Sequence, residues 1–318
     1  MNCLCCGKPL TSEEEKNGWH KRCIKRFFGT EELPQITVDK TTLEMLATES
    51  TARGYTVPGV QKKLLLHLHS DPDTPRLTLV NYPSGYILKP QVPEYVGLPE
   101  SEQLVMELAD AAGISTVPHA LIPGTDGYAY ITRRVDRKFK GKSVGLLAME
   151  DFCQLDFRLT EDKYRGSYER CCKVINRYSS RRMVDVTELF SRLVFSFIVG
   201  NSDMHLKIFS LIETKAGSAE YVLSLAYDLL PVNIILSGDK DEFALTMNGK
   251  TRNLRRKDFL VFADSCGILR PAAEKMISHF VSKKDTFINR CGESLLPPGM
   301  KSSLSQLMED RIERLRST

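Results

Sequence analysis

The sequence predicts an α+β fold of two lobes, a small mixed α/β lobe and then a mostly helical large one, with a Cys/His-rich extension ahead of both. Three observations carry this. A chain of 318 residues buries enough surface for more than one core. Short apolar runs bounded by turn residues, the signature of strands, gather between residues 64 and 132. Apolar residues at helical spacing dominate from about residue 148 onward. The expected boundaries are 1–30 for the extension, 31–140 for the small lobe and 141–318 for the large lobe.

Composition narrows the function classes. The chain has 44 basic and 40 acidic residues, a mild balance that argues against a dedicated nucleic-acid binder. No run approaches the ~20 apolar residues of a membrane span. The first ten residues, MNCLCCGKPL, lack the basic-then-apolar order of a secretion signal, so a cytoplasmic setting is expected. The nine cysteines are odd in number, and Cys153, Cys266 and Cys291 stand alone, unlike a disulfide scaffold.

In the extension, Cys3-x-x-Cys6 and His20-x-x-Cys23 have the short spacing with which two ligand pairs grip one tetrahedral zinc ion. Gly7 and Pro9 form the turn after the first pair, and Trp19, Phe27 and Phe28 are placed to cover the site. Cys5 is a spare thiol that competes with its neighbours. A metal-free cysteine knob is the plainer alternative. The cations Lys21, Arg22, Lys25 and Arg26 also fit a zinc-dependent nucleic-acid contact, but beside Glu13, Glu14 and Glu15 they read more simply as a solvated surface.

In the small lobe, residues 43–48 read as a short helix. Gly59, with Lys62 and Lys63 beside it, fits either a phosphate-cradling loop or an ordinary turn before the strand at 64–68. Residues 77–80 and 86–88 read as strands around a turn at 81–85. Lys89 ends the second strand, where a lysine either reaches nucleotide phosphates or snorkels to solvent. Residues 100–112 have helical spacing and end at Gly113; Glu102 on this helix faces either Lys89 or water. Residues 117–122 and 128–132 form a hairpin around 124–127.

In the large lobe, residues 167–178, 187–199, 253–266, 272–289 and 304–315 read as helices, and 234–236 and 243–245 as short strands. Leu189, Phe190, Leu193, Val194 and Phe197 make a buried stripe. The apolar run ending at Val199 stops at Gly200-Asn201, and Asp203, His205 and Lys207 then alternate with hydrophobic residues. Polar side chains held between two buried runs suit a catalytic loop as well as a plain connection. As a catalytic loop, Asp203 accepts a proton from an attacking hydroxyl and Lys207 neutralises a transferring phosphoryl group. Asp228, alone in the apolar run before Pro231, is a candidate magnesium ligand.

The run GNSDMHLKIFSL followed by AYDLLP resembles the HipA-like serine/threonine kinases of bacterial toxin–antitoxin systems. The Cys/His start followed by Phe27-Phe28-Gly29 is similar to their short HipT-type relatives, in which the first small subdomain is a separate protein, HipS. The resemblance implies a two-lobed protein-kinase-like fold using ATP and Mg2+. It implies catalytic roles for Asp203, His205 and Lys207, ATP binding by Gly59, Val60, Gln61, Lys63 and Lys89, and a hinge beside adenine at residues 133–137, including Arg134 and Asp136. It places Thr56 at the position of an autophosphorylated serine. Residues 148–155 resemble a family helix, E-D-F-C-Q.

The implied activity is phosphorylation of a protein substrate, an aminoacyl-tRNA synthetase (glutamyl- or tryptophanyl-), which arrests translation. The implied partners are a HipS-like small antitoxin and a HipB-like DNA-binding antitoxin. One departure matters: Ile208 stands where the family has a metal-ligating Asn. That keeps open a pseudokinase or nucleotide-binding scaffold, unless water, Asn201 or Asn233 replaces the missing ligand.

Overall fold

A computed structural model describes residues 1–36, 63–69, 75–78, 84–124, 127–140 and 143–316. The chain forms two compact units, Met1–Gln103 with Val117–Arg137, and Leu104–Thr116 with Lys138–Thr318. It is a mixed α/β structure with the strands concentrated in the first unit and the helices in the second.

The first unit contains helix α1 (Lys21–Phe28) and strands β1 (Gln35–Ile36), β2 (Leu64–His69), β3 (Arg76–Thr78), β4 (Tyr86–Lys89), β5 (His119–Gly124) and β6 (Gly127–Arg133). They form one sheet in the order β1-β3-β2-β4-β6-β5. The expected β5–β6 hairpin forms, with Gly124 opposite Gly127. Strands β3 and β4 do not pair with each other, although they flank residues 81–85: β2 lies between them, antiparallel to both. The expected strands are present, and the pairing is set by β2 rather than by their adjacency in sequence. Leu66, Ala120, Ile131 and Tyr130 are buried at 1% exposure or less, so the centre of the sheet is covered. The helix predicted at 43–48 lies outside the described residues.

Helix α2 (Leu98–Ala111) carries the predicted apolar stripe, with Leu104, Val105, Leu108 and Ala109 buried. In the second unit follow β7 (Arg137–Lys140), β8 (Ser143–Leu146), β9 (Met149–Asp151), α3 (Phe152–Leu155), α4 (Tyr168–Tyr178), α5 (Arg182–Val199), β10 (Ser210–Glu213), β11 (Tyr221–Leu223), α6 (Val232–Ile235), α7 (Arg256–Ser265), α8 (Arg270–Ser282), α9 (Lys284–Glu293) and α10 (Pro298–Arg316). Strands β9, β10 and β11 make a small antiparallel sheet.

Helix α5 is the axis of this unit. Its second half is apolar on every side, which marks a helix enclosed by others, and each residue from Leu193 to Val199 is fully buried. Phe197 packs edge-on against Phe259, centroids 5.3 Å apart, and Phe195 against Phe287 at 6.0 Å. Gly200 ends α5 in the left-handed region at φ +75°. A Cβ there would stand 3.0 Å from the end of the Leu307 side chain, so the conformation favours glycine and the space beside it is tight.

Four expected elements differ. Residues 234–236 are not a strand: Ile234 and Ile235 belong to α6, whose N-cap is Pro231. Residues 243–245 are irregular, and their buried Phe243 and Leu245 gave a strand-like signal through core packing alone. The helix expected over 272–289 breaks at Lys283 into α8 and α9. At 148–155 only Phe152–Leu155 is helical, because Asp151 ends β9 and caps α3 in a capping box with Gln154.

Candidate functional site

The loop after Gly200 is held by its own side chains. Asn201 is buried; its Oδ1 accepts from the Asp203 backbone N–H, and its Nδ2 donates to Met204 Sδ. His205 Nδ1 accepts from the Lys207 backbone N–H at 3.2 Å. That leaves the His205 proton on Nε2, which stands 4.0 Å from Asp203 Oδ2. The structure therefore brings the three predicted catalytic residues into one turn.

Asp203 is 47% exposed at its side chain. Tyr164 donates its hydroxyl hydrogen to Asp203 Oδ1 at 2.9 Å. The Asp203 carboxyl is held above the usual carboxylate range, chiefly by desolvation; the Tyr164 hydroxyl and Lys163 oppose the rise, and Asp228 and Asp239 add to it. A carboxylate raised toward neutrality is better matched to general-base work.

Lys207 pairs with Asp151, Nζ to Oδ2 at 2.6 Å. The other oxygen of Asp151 accepts from the Gln154 N–H at the start of α3. One carboxylate thus caps a helix and aims a lysine. The hydroxyl of Tyr227 contacts Ser210 Oγ at 2.6 Å and donates to the Lys207 carbonyl at 3.2 Å, tying the Asp228 segment to the lysine turn.

Asp228 is half-buried and has φ +56°, a left-handed conformation that costs a non-glycine residue of order 1 kcal/mol or more. Its charge is one of those that raise Asp203, and carboxylates that converge in this way suit a hard divalent cation with oxygen ligands. Asp239 joins them electrostatically while accepting from the Ser202 hydroxyl at 2.6 Å. Ile208 is buried and offers no ligand atom. Neither proposed replacement is idle. The Asn201 amide is engaged as described; Asn233 donates to the Asp239 and Asp241 carbonyls and accepts from Arg311 at 2.7 Å.

In the first unit, Lys89 and Glu102 form a buried ion pair at 2.5 Å, with side chains 2% and 0% exposed. Glu102 therefore faces the lysine and not solvent. The Lys89 ammonium also lies 5.3 Å from the centre of the Tyr130 ring. Asp136 is gripped by two arginines: Arg134 binds it through Nε at 3.1 Å and a terminal nitrogen at 2.8 Å, and Arg137 binds it at 2.5 Å. Lys63 is half-buried just ahead of β2. Thr56, Gly59, Val60 and Gln61 lie outside the described residues. A cleft of about 670 Å³, lined by Ile234, Glu242, Leu307, Arg311 and Arg314 among others, contains none of the predicted site residues.

In the extension, the ligand atoms of Cys3, Cys6, His20 and Cys23 lie within 4.8 Å of one another. Cys5 is not one of the four. Its thiol is pushed up to about 11, chiefly by burial, with Arg26 opposing the shift through a hydrogen bond.

Sequence reasoning missed Tyr164, Asp151 and Asp239. Tyr164 lies 39 residues before Asp203 in a polar stretch with no pattern of its own. Asp151 carried a signal, an Asp three residues before a Gln, which is a helix N-cap pattern. Asp239 lies between the two segments expected as strands, 234–236 and 243–245, where nothing in the local spacing marks it.

A family model for the HipA-like C-terminal domain matches residues 55–286. "Putative kinase Y4mE" of Sinorhizobium fredii is 28% identical over 204 residues, 62% of this chain and 47% of that protein. A "Putative kinase" of Haemophilus influenzae is 22% identical over 320 residues, 91% of this chain and 90% of its own length. The chain thus spans about half of the Sinorhizobium protein. Among solved structures, HipA of Shewanella oneidensis MR-1, in complex with HipB and its operator DNA, matches with a TM-score of 0.68 at 18% identity, over 84% of this chain and 70% of that one. The Helicobacter pylori proinflammatory kinase CtkA matches with a TM-score of 0.51 at 13% identity, over 75% of this chain and 88% of that one. At these identities the two structures speak for the fold. The family match, which spans most of the chain and includes the loop of Asp203, shows that this chain belongs to the HipA-like C-terminal domain family.

Proposed function

We propose that the chain is an ATP-dependent serine/threonine protein kinase of the short HipT type, acting as the toxin of a toxin–antitoxin system. The observation that carries this reading is Asp203. It is a carboxylate of raised pKa that already accepts a hydrogen bond from a hydroxyl, on a loop anchored by the buried second half of helix α5.

In this reading Asp203 takes the proton of the acceptor hydroxyl, and His205 holds the turn by accepting from the Lys207 N–H, with its Nε2 4.0 Å from Asp203 Oδ2. Lys207 meets the charge that moves with the phosphoryl group. Lys89, positioned by Glu102, holds ATP phosphates together with Gly59, Val60, Gln61 and Lys63. Arg134 and Asp136 shape the adenine side. Asp228 holds Mg2+, which supplies charge neutralisation on the phosphates. Thr56 is the autophosphorylation site. The substrate is an aminoacyl-tRNA synthetase, and the partners are a HipS-like small antitoxin and a HipB-like DNA-binding antitoxin. The Shewanella HipA was solved with HipB and operator DNA, which supports a partner of the second kind.

The test is intact-mass and phosphosite analysis after incubation with ATP and magnesium, with Asp203→Ala alongside. Phosphate on the wild type and none on the variant is expected; equal labelling of both sinks the assignment of Asp203.

One observation favours a second reading, a pseudokinase: Ile208 offers no ligand and both nearby asparagines are engaged in other hydrogen bonds. Magnesium-independent ATP binding with no phosphate transferred, and transfer gained in Ile208→Asn, is the outcome that selects it.

A further inference from the structure

We propose that Cys3, Cys6, His20 and Cys23 bind one zinc ion, and that this ion staples the N-terminal extension onto strands β4 and β5 of the sheet that carries Lys89. The proposal is independent of whether the chain transfers phosphate.

The geometry is close to a finished tetrahedron. Zinc bonds of ~2.3 Å to sulfur and ~2.0 Å to nitrogen put neighbouring ligand atoms ~3.5–3.8 Å apart. Cys6 Sγ and Cys23 Sγ stand 3.4 and 3.8 Å from His20 Nδ1, and all four ligand atoms fall within 4.8 Å of one another. The outer nitrogen of His20 faces the Pro9 carbonyl at 3.0 Å. That contact keeps the ring proton on Nε2 and turns the Nδ1 lone pair toward the thiols, the arrangement that orients metal-ligating histidines. Three thiols and one imidazole are a zinc donor set, and four protein ligands leave no open position, as in structural sites.

Both ligand pairs are fixed by backbone. The Gly7 N–H donates to the Cys3 carbonyl at 2.8 Å, with Gly7 at φ +65°, closing the first turn. His20 stands at the N-cap of α1, and the Cys23 N–H donates to its carbonyl at 2.9 Å. An extension of about 30 residues is too short to stabilise itself by apolar burial alone, and a metal is one of the usual remedies.

The staple follows from what sits beside the ligands. Trp19, next to His20, donates its indole hydrogen to the Leu121 carbonyl at 3.1 Å. Leu4, next to Cys3, accepts from the Leu121 N–H at 2.9 Å. Phe27 and Phe28, on the helix that carries Cys23, pack on Tyr86 with ring centroids 6.0 and 5.4 Å away, and Tyr86 donates to the Phe27 carbonyl. Leu121 belongs to β5, and Tyr86 stands three residues before Lys89 on β4.

Trp19 is the single tryptophan of the chain and reports this contact directly. The experiment is elemental analysis of the purified full chain, wild type, Cys5→Ser and Cys23→Ser, followed by chelation of the wild type with Trp19 emission and Tm recorded. About one zinc per chain is expected in wild type and Cys5→Ser, and less than about a tenth of that in Cys23→Ser. Chelation should move Trp19 emission to the red and lower Tm by several degrees, with both restored by added zinc. If Cys23→Ser does not fold, Co2+ loaded into the chelated wild type decides the ligand set: a thiolate-to-cobalt charge-transfer band is expected. Wild type that takes up neither zinc nor cobalt overturns the site. Zinc that can be removed with no change in Trp19 emission or Tm overturns the staple.

Discussion

Tyr164 donates its hydroxyl hydrogen to Asp203 Oδ1 across 2.9 Å, from a ring that is itself about half exposed. The tyrosine oxygen occupies a position on the carboxylate that an acceptor hydroxyl would also use. It stabilises the charged form of Asp203, against the desolvation that raises it. Tyr164→Phe should therefore raise the Asp203 pKa further and move the acidic limb of the kcat/KM profile to higher pH, by up to about one unit. An unmoved limb in a pH–rate series would separate Tyr164 from the chemistry.

Asp203→Asn should cost about 10² to 10⁴ in transfer rate, the range of a lost general base. It should also stabilise the chain at neutral pH. The folded pKa of Asp203 lies above its unfolded value, so the folded state holds more protons in the window between the two. Stability falls as pH rises through that window. Asparagine removes the penalty. Melting curves at pH 7 should show the variant higher by roughly 1 °C, a small effect because the side chain is half solvated. The difference should vanish near pH 3, where aspartate is protonated in both states. A variant less stable than wild type at pH 7 contradicts the argument.

Lys89→Met leaves a buried carboxylate at Glu102 without its lysine. Loss of about 3–5 kcal/mol of stability is expected in urea, the usual cost of orphaning one member of a buried pair. The double variant Lys89→Met/Glu102→Leu should recover most of it, while the ATP binding proposed for Lys89 stays impaired. Single and double variants with equal stability would mean that the pair is not coupled.

Asp151→Asn keeps a good N-cap for α3 but removes the negative charge from Lys207. Tm should change by no more than ~2 °C, while kcat falls about tenfold through a misaimed lysine. Steady-state kinetics beside melting curves check this, and an unchanged kcat excludes a positioning role.

The legible parts of this chain were those with local patterning. The α5 stripe, the β5–β6 hairpin, the Asp203 turn and the two close-spaced Cys/His pairs of the extension follow from spacing within a few residues. The order of the sheet did not, because β2 enters between β3 and β4 by pairing over long range. Isoleucines 234 and 235 favour strands by propensity, yet α6 forms after Pro231 because tertiary packing decides four residues more strongly than propensity. Tyr164 was invisible for the same reason: a contact 39 residues long leaves no trace in local spacing.

The end of α5 draws its support from far along the chain. Arg311 donates to the Phe197 carbonyl, 114 residues earlier, and to Asn233. The Arg311 and Arg314 guanidinium groups each lie 5.0 Å from the centre of the Phe197 ring. Leu307 fills the space against Gly200. During synthesis, the turn that bears Asp203 cannot gain this backing until α10 has cleared the ribosome. The loop of Asp203 therefore gains this backing only after the other described helices of the second unit have been made.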